Sequence, residues 1–255
     1  MRFALLGSGS EGNALVVGAG QTCVLMDCGF GLRETERRLA RLGLSPGQIS
    51  GIVVTHEHGD HISGVAKLAK AHKLPVWLTH GTLRQQESAF ASDVVVTEIS
   101  PDSPFSIGDV HVLPYPVPHD SAEPVQFVFG DGARRLAVLT DAGHVTPHIR
   151  SVLTGCDALV LECNHDTTML ELGNYPLTLK RRVGGHYGHL NNQQAAALLA
   201  AMDCGRLQHL VAAHLSQRNN TPELAVQALS TVLGCSGEWV GVATQTGGVD
   251  WRELA

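Results

Sequence analysis

Short apolar runs broken by glycine, proline and aspartate set the pattern of the first half of the chain. RFALL, ALVV and TCVLMD predict three successive strands. LRETERRLARLG changes to a helical spacing and stops on Gly43. A buried strand GIVVT, a histidine-rich loop, a helix over ISGVAKLAKAH and a strand LPVWLT follow. DVHVLPYPV, VQFVF and RRLAVLT carry the strand pattern through the middle. The second half alternates strand DALVLE, helix LNNQQAAALLAAM, strand LQHLVAAH and helix TPELAVQALSTVLG, the last opening on a Thr cap with Pro at its first position. Two halves that each run from strands to helices predict two packed sheets with helices outside. No linker, low-complexity tract or repeat of conventional period breaks the sequence, so residues 1–255 read as a single domain.

Composition adds limits. A chain of 255 residues, 44% hydrophobic, can bury a sizeable core. No apolar run approaches the ~20 residues that span a bilayer, and the apolar part of MRFALLGSGSEGN is too short for a signal peptide. The expectation is a cytoplasmic protein with no membrane association. Six scattered cysteines without a CxxC pair predict reduced, mostly buried thiols. The net charge of −6 argues against a generally basic nucleic-acid binder, because phosphate affinity depends on Lys and Arg. Local basic stretches remain: Arg33, Arg37, Arg38 and Arg41, read as a solvated helix face, and Lys180-Arg181-Arg182.

GSGSEG, residues 7 to 12, matches the glycine pattern of dinucleotide-binding turns, with Asp27 about 20 residues on. Such a turn must open a helix. NALVVGAGQ is too short, too β-branched and too glycine-broken for one, so the segment predicts a hairpin.

The chemistry concentrates in THEHGDH, residues 55 to 61. In extended chain, side chains two apart face the same way, so His56 and His58 converge on one ion. Asp60 and His61 lie where the chain turns into the next helix, within reach of a second. The missing ligands stand at distant strand ends: His119 after YPVP, Asp141 after AVLT, His214 after LVAA. His56, His58 and His119 would serve one site, Asp60, His61 and His214 the other, and Asp141 would bridge, leaving an open position for a bridging hydroxide. Imidazoles suit zinc; the added carboxylates admit manganese or iron. Two divalent ions are therefore expected.

HxHxDH followed by a strand-end His, a strand-end Asp and a late His resembles the metallo-β-lactamase superfamily. GSGSEGN, LMDCG, PHDSAEPVQFVF, LECNHDTTML, YPLTLKRR, GHLNN and AHLSQRNNTPELA together resemble its YycJ/WalJ-like group, itself similar to ribonuclease Z. The resemblance implies an α/β fold, an αββα sandwich of two mixed sheets with helices on both outer faces. It also implies a dinuclear metal-dependent hydrolase cleaving nucleic-acid phosphodiesters, a 5′–3′ exonuclease on DNA. Asp27 in LMDCG matches the superfamily's first-motif Asp, which holds metal-bound histidines from behind. His189 in GHLNN resembles the histidine of phosphodiesterase members that contacts the scissile phosphate or protonates the leaving oxygen. Asp60 would aim the attacking water. His165, Lys180 and Asn191 are candidate substrate contacts, with Asn191 and Asn192 capping a helix whose N-terminus is open to phosphate.

Glu57, His144 and His186 read as rim or scaffold; His72, His80, His111, His148 and His209 as structural or exposed. Glu11, His144 and Arg218 depart from the group's pattern, and the last two bear on the substrate rim. Two rival readings stand beside the nuclease: a glyoxalase II-like thioesterase, lactonase or β-lactamase with the same metal site, and a non-catalytic binding member. No Cys takes the second-site position of zinc β-lactamases, where Asp60 and His61 stand.

Overall fold

The computed structural model describes residues 1–90 and 93–255. Its first sheet contains β1 (Arg2–Gly7), β2 (Ala14–Ala19), β3 (Thr22–Met26), β4 (Gly51–Val53), β5 (Val76–Thr79), β6 (Val96–Ile99) and, from the far end of the chain, β14 (Val249–Glu253). The second contains β7 (Phe105–Ile107), β8 (Val110–Pro116), β9 (Val125–Gly130), β10 (Arg135–Leu139), β11 (Ala158–Glu162), β12 (His209–Ala213) and β13 (Val240–Val242). The strand orders are β14-β1-β2-β3-β4-β5-β6 and β13-β12-β11-β10-β9-β8-β7. Both sheets are mixed: β1, β2 and β3 pair antiparallel, β3 to β6 parallel; β7 to β10 antiparallel, β10 to β13 parallel.

Alternation along the strands sorts side chains into three apolar layers. Phe3, Leu5, Val17, Phe127, Phe129, Val138 and Val160 meet between the sheets. On the outer face of the first sheet, Leu25 and Ile52 pack with Leu39 of α1 (Leu32–Arg41) and Leu68 of α3 (Val65–His72), the latter preceded by the single turn α2 (Gly59–Ile62). On the outer face of the second, Leu139 and Leu161 pack with Leu198 of α8 (Asn192–Ala201) and Leu229 of α9 (Pro222–Leu233). Three layers of contact between four layers of structure make the expected αββα sandwich.

Local chemistry explains where elements start and stop. Thr221 Oγ1 accepts from the Leu224 N–H, Pro222 opens α9, and Gly234 closes it at φ 62°. Pro114 and Pro116 are tolerated in β8 because β7 pairs only with Val110 to Val112, leaving the missing N–H groups beyond its reach. The GSGSEG segment joins two antiparallel strands, so the hairpin reading holds. The helix expected over ISGVAKLAKAH is split at Gly64, where a Cβ would lie 1.9 Å from the Phe30 carbonyl oxygen.

Other elements were not foreseen. α4 (His80–Phe90), α5 (Pro147–Leu153), α6 (Thr167–Leu172) and α7 (Leu177–Val183) are short or weakly apolar, as are β6, β7, β13 and β14. Arg38 corrects the solvated-face reading of the arginines. It is buried, its guanidinium donates to the carbonyls of Leu6 and Gln245 at 2.7 and 2.9 Å, and it lies over the Phe30 ring. The six cysteines are free, four of them buried. Among the described residues no helix is long and apolar enough to cross a membrane.

Phe127→Ala, which empties a fully buried ring from the layer between the sheets, is expected to cost about 3–5 kcal/mol of unfolding free energy by denaturant titration. Val95→Ala at a position 71% exposed is expected to stay within about 0.5 kcal/mol.

Candidate metal centre

The carboxyl ends of the central strands meet at one edge of the sandwich. His56 and His58 follow β4, Asp60 and His61 lie in α2, His119 follows β8, Asp141 follows β10 and His214 follows β12. All seven converge. His56, His58 and His119 offer ligand atoms within 4.8 Å of one another, as do Asp60, His61 and His214, and as do His56, His61 and Asp141. His58 Nδ1 lies 3.1 Å from His56 Nε2 and 3.2 Å from His119 Nε2. Asp60 Oδ2 lies 3.4 Å from both His61 Nε2 and His214 Nε2. Asp141 stands between the groups: Oδ2 is 3.3 Å from His61 Nε2, and Oδ1 is 3.5 Å from His214 Nε2 and 3.9 Å from His119 Nε2.

Backbone strain places two of these side chains and Asp27 behind them. Asp27, Asp141 and His214 all have positive φ, 59°, 55° and 55°. An L-residue adopts that region at a cost, and sites where it does so are commonly functional. Each ends a strand, and the left-handed turn swings its side chain to the centre instead of onward along the sheet. Gly29 gives the close approach that α2 needs, because a Cβ there would lie 1.9 Å from the Asp60 carbonyl oxygen.

The second nitrogen of most rings has a partner, which fixes the tautomer and aims the first. His61 Nδ1 donates to Asp27 Oδ2 at 2.9 Å. Asp27 also accepts from the Thr55 N–H at 2.8 Å and the Thr55 hydroxyl at 2.9 Å, so that hydroxyl is left to accept from His56 Nδ1 at 2.9 Å. His119 Nδ1 donates to the Gly188 carbonyl at 3.1 Å, and His214 Nδ1 to Glu162 Oε1 at 3.1 Å. Such partners are what metal-ligating imidazoles ordinarily carry. The opening loop holds the centre too: Asn13 Nδ2 donates to Asp60 Oδ2 at 3.2 Å, and the Ser8 hydroxyl accepts from the His214 N–H at 2.9 Å.

The donor set fits divalent cations. Imidazole nitrogens sit about 2.0–2.1 Å from zinc in a tetrahedron, which separates ligand atoms by roughly 3.3 Å. Two separations in each group, 3.1 and 3.2 Å about His58 and 3.4 Å twice about Asp60, match that edge. Asp141 Oδ2 is buried without a hydrogen-bond partner among the described residues, and a buried carboxylate oxygen in that state calls for a cation.

Without a cation the centre stores protons instead. Burial alone would lower His214, but Asp141 and the hydrogen bonds to Asp60 and Glu162 carry it up to about 10. His61 is buried too, yet Asp141, Asp60 and Asp27 hold it well above the usual histidine range. Burial would raise Asp60, and His61 and His214 drive it down instead. His56, surrounded by other imidazoles, is pushed well below by burial first and His61 next.

Glu162 was missed. It ends β11, fully buried, and Oε1 accepts from both His189 Nδ1 at 2.8 Å and His214 Nδ1 at 3.1 Å. Oε2 accepts from the N–H groups of Leu190 and Ala142 at 3.0 and 3.1 Å. Burial would raise its carboxyl, but His189 and His214 hold it at about 2. The only hint was an acid ending an otherwise apolar strand, DALVLE.

His189 lies beside the centre, Nδ1 3.6 Å from Asp141 Oδ1, and lines a cavity of about 380 Å³ with His58, Asp60, Asp141 and His214. The expected substrate contacts fare differently. Lys180 points away: its Nζ donates to the Glu171 carbonyl at 2.6 Å, and Arg182 lines the cavity instead, paired with Asp120 at 2.5 Å. Residues two apart on a helix do not share a face. His165 is buried, its Nδ1 3.3 Å from Asn164 Oδ1, and is not among the cavity's lining residues. Asn191 caps α8, accepting from the Gln194 N–H at 2.8 Å while Gln194 Oε1 accepts from the Asn191 N–H, so this N-terminus is closed by its own capping box. Glu57 Oε1 accepts from the Ala122 N–H and His144 Nδ1 donates to the His186 carbonyl, in keeping with scaffold.

An αββα sandwich with imidazoles and carboxylates gathered at its edge defines an enzyme, a metal-dependent hydrolase of the metallo-β-lactamase fold. The chain belongs to the β-lactamase superfamily: the family described as Beta-lactamase superfamily domain matches residues 22–215. The YycJ/WalJ-like resemblance holds over nearly its whole length. It is 38% identical to "Exodeoxyribonuclease YycJ" of Bacillus anthracis, covering 95% of this chain and 93% of the relative. It is 28% identical to "Exodeoxyribonuclease WalJ" of Streptococcus pneumoniae, covering 94% and 91%. The crystal structure of the metallo-β-lactamase fold protein YhfI from Bacillus subtilis superposes with a TM-score of 0.76 at 17% identity, covering 99% of each chain, and shows the shared fold.

Metal loading should expel protons. His61 and His214 are raised, so both carry protons in metal-free protein at pH 7.5, and an imidazole must lose its proton to bind an ion. Calorimetric titration of chelator-stripped protein, in buffers of different ionisation enthalpy, is expected to show about one or more protons released per chain. The release contributed by His214 should fade as pH rises through about 10. No net release at pH 7.5 would contradict this protonation state.

Proposed function

We propose that the protein is a nuclease that hydrolyses nucleic-acid phosphodiesters, a 5′–3′ exonuclease on DNA, working in the cytoplasm as a single domain over residues 1–255. His189 carries this reading. Its Nδ1 is engaged by Glu162 at 2.8 Å and lies 3.6 Å from Asp141 Oδ1, which leaves Nε2 for the cavity that the ring lines. A proton donor held in that way next to a charge-stabilising centre suits a poor alkoxide leaving group. The printed activities of the YycJ and WalJ relatives support the same chemistry.

In this reading two divalent ions, zinc or manganese with iron also suitable, are held by His56, His58 and His119 on one side and Asp60, His61 and His214 on the other, with Asp141 between. When bound, such ions neutralise phosphoryl oxygens and make water a usable nucleophile at neutral pH. Asp60 accepts a hydrogen bond from the attacking water and aims its oxygen at phosphorus, and the proton that this water gives up leaves to solvent. The bond to the 3′-oxygen breaks, and His189 Nε2 delivers the proton that this oxygen needs. Glu162 accepts from His189 Nδ1 and so fixes which ring nitrogen is left for the leaving oxygen. Asp27 does the equivalent for His61. Arg182, on the cavity wall, takes the phosphate-contact role expected of Lys180. Six free cysteines suit a reducing compartment.

The test is cleavage of end-labelled single- and double-stranded DNA and RNA, with and without chelator, alongside a thioester and a chromogenic β-lactam. Metal-dependent trimming of DNA from the 5′ end is expected; turnover of only the thioester or lactam would overturn the proposal. His189→Ala should slow single-turnover cleavage by ~10²–10⁴-fold while both ions stay bound by elemental analysis. It should lose much less on bis(p-nitrophenyl) phosphate, whose leaving group needs little protonation. Equal loss on both substrates would assign His189 to positioning instead.

Asp141→Ala should abolish activity and release at least one ion, because both sites share this carboxylate. His214→Ala should empty the second site first. Full turnover with two ions retained in Asp141→Ala would contradict the bridging role.

A further inference from the structure

The cavity beside the centre is not charged all round. Strand ends contribute most of its ionic lining, while the segment leading into and through α7 contributes Tyr175, Leu179 and Val183 beside Arg182. Leu179 and Val183 are four apart on the helix, so they share a face. All three side chains are half-buried, leaving apolar surface open to the cavity. Behind the aromatic ring stands Arg218, its guanidinium carbon 5.9 Å from the ring centroid, within the range of a cation–π contact. The metal-centred mechanism uses none of Tyr175, Leu179, Val183 and Arg218.

Resting on the nuclease reading above, we infer that Tyr175, Leu179 and Val183 form the wall against which the base next to the scissile phosphate stacks, with Arg218 bracing the ring. The cavity suits an occupant that is anionic at one end and flat and apolar at the other, and a nucleotide is both. At about 380 Å³ the space lies in the range of small-molecule sites, too confined for a base pair together with its neighbours. A base inside a duplex is stacked and paired, so it reaches such a wall only after leaving its partner. The site therefore takes an unpaired terminal nucleotide. Stacking on an aromatic face discriminates little among bases, so trimming should tolerate any sequence.

The test compares two single-stranded oligonucleotides that differ only in whether the nucleotide at the degraded end carries a base. With metal-loaded full chain, Tyr175→Ala should lower kcat/KM for the first cleavage about 10- to 100-fold on the ordinary strand, and less than about threefold on the abasic one. Tyr175→Phe, which keeps the ring, should remain within about threefold of wild type on both. A second readout needs no turnover. A strand with 2-aminopurine at that terminal position, added to metal-stripped protein, should lose fluorescence on wild type and keep it on Tyr175→Ala. Equal penalties on the two oligonucleotides, or no quenching by wild type, would overturn the base wall while leaving a cleaving enzyme and its nuclease reading intact. Wild type that cleaves neither oligonucleotide would instead remove the nuclease reading and the wall with it.

Discussion

Every imidazole has two nitrogens, and the centre works only if the fold uses one to aim the other. Asp27, through Thr55, governs both His61 and His56; Glu162 governs both His214 and His189; the Gly188 carbonyl governs His119. Two buried carboxylates thus orient four rings. Breaking one would release two histidines at once, one on each side of Asp141 or, for Glu162, one from the ligand cluster and His189 from the cavity wall beside it. The rest of the architecture can be understood as delivering these partners from opposite sheets to one edge: Asp27 ends β3 in the first, Glu162 ends β11 in the second.

Delivery has a conformational cost. Three strand ends adopt left-handed backbone at Asp27, Asp141 and His214, where a glycine would be easier but could neither hold nor bind a cation. Surrounding hydrogen bonds offset the strain: the Asp27 N–H donates to the Val53 carbonyl at 2.9 Å, and the His214 N–H donates to Ser8 Oγ at 2.9 Å. The opening hairpin therefore contributes more than a sheet edge. Its loop, resembling a phosphate-binding turn in sequence, grips Asp60 through Asn13 and is itself held by Gln245 Nε2, which donates to the Gly12 carbonyl at 2.8 Å. Chain ends more than two hundred residues apart meet there.

Charge and apolar surface divide the site between them. Buried histidines and acids balance one another closely enough that the metal-free cluster keeps raised histidines beside depressed carboxylates. The α7 side offers ordinary side chains to solvent. That division separates the strand-end centre from the surface of a short helix and the loop before it. Fold likeness at 17% identity speaks to the sandwich alone.

Much of this was legible in the sequence because it is local or periodic. Strand and helix alternation predicted two packed sheets with helices outside and helices such as α9, whose cap, proline and terminal glycine act within a few residues. The histidine loop and the strand-end His119, Asp141 and His214 named the seven clustered side chains, since ligand types at strand ends are conspicuous against apolar runs. What the sequence left undetermined depends on contacts between distant segments. Lys180 and Arg182 are indistinguishable as text, and only helix rotation turns one to the Glu171 carbonyl and the other to the cavity. Arg38 reads as a surface arginine until two carbonyls from opposite ends of the chain surround it. Glu162 reads as a strand-end acid until His189 and His214 arrive from 27 and 52 residues away. Composition and spacing determine which groups are available, but a carboxylate or guanidinium acquires its role from the partners that tertiary packing brings within hydrogen-bonding distance.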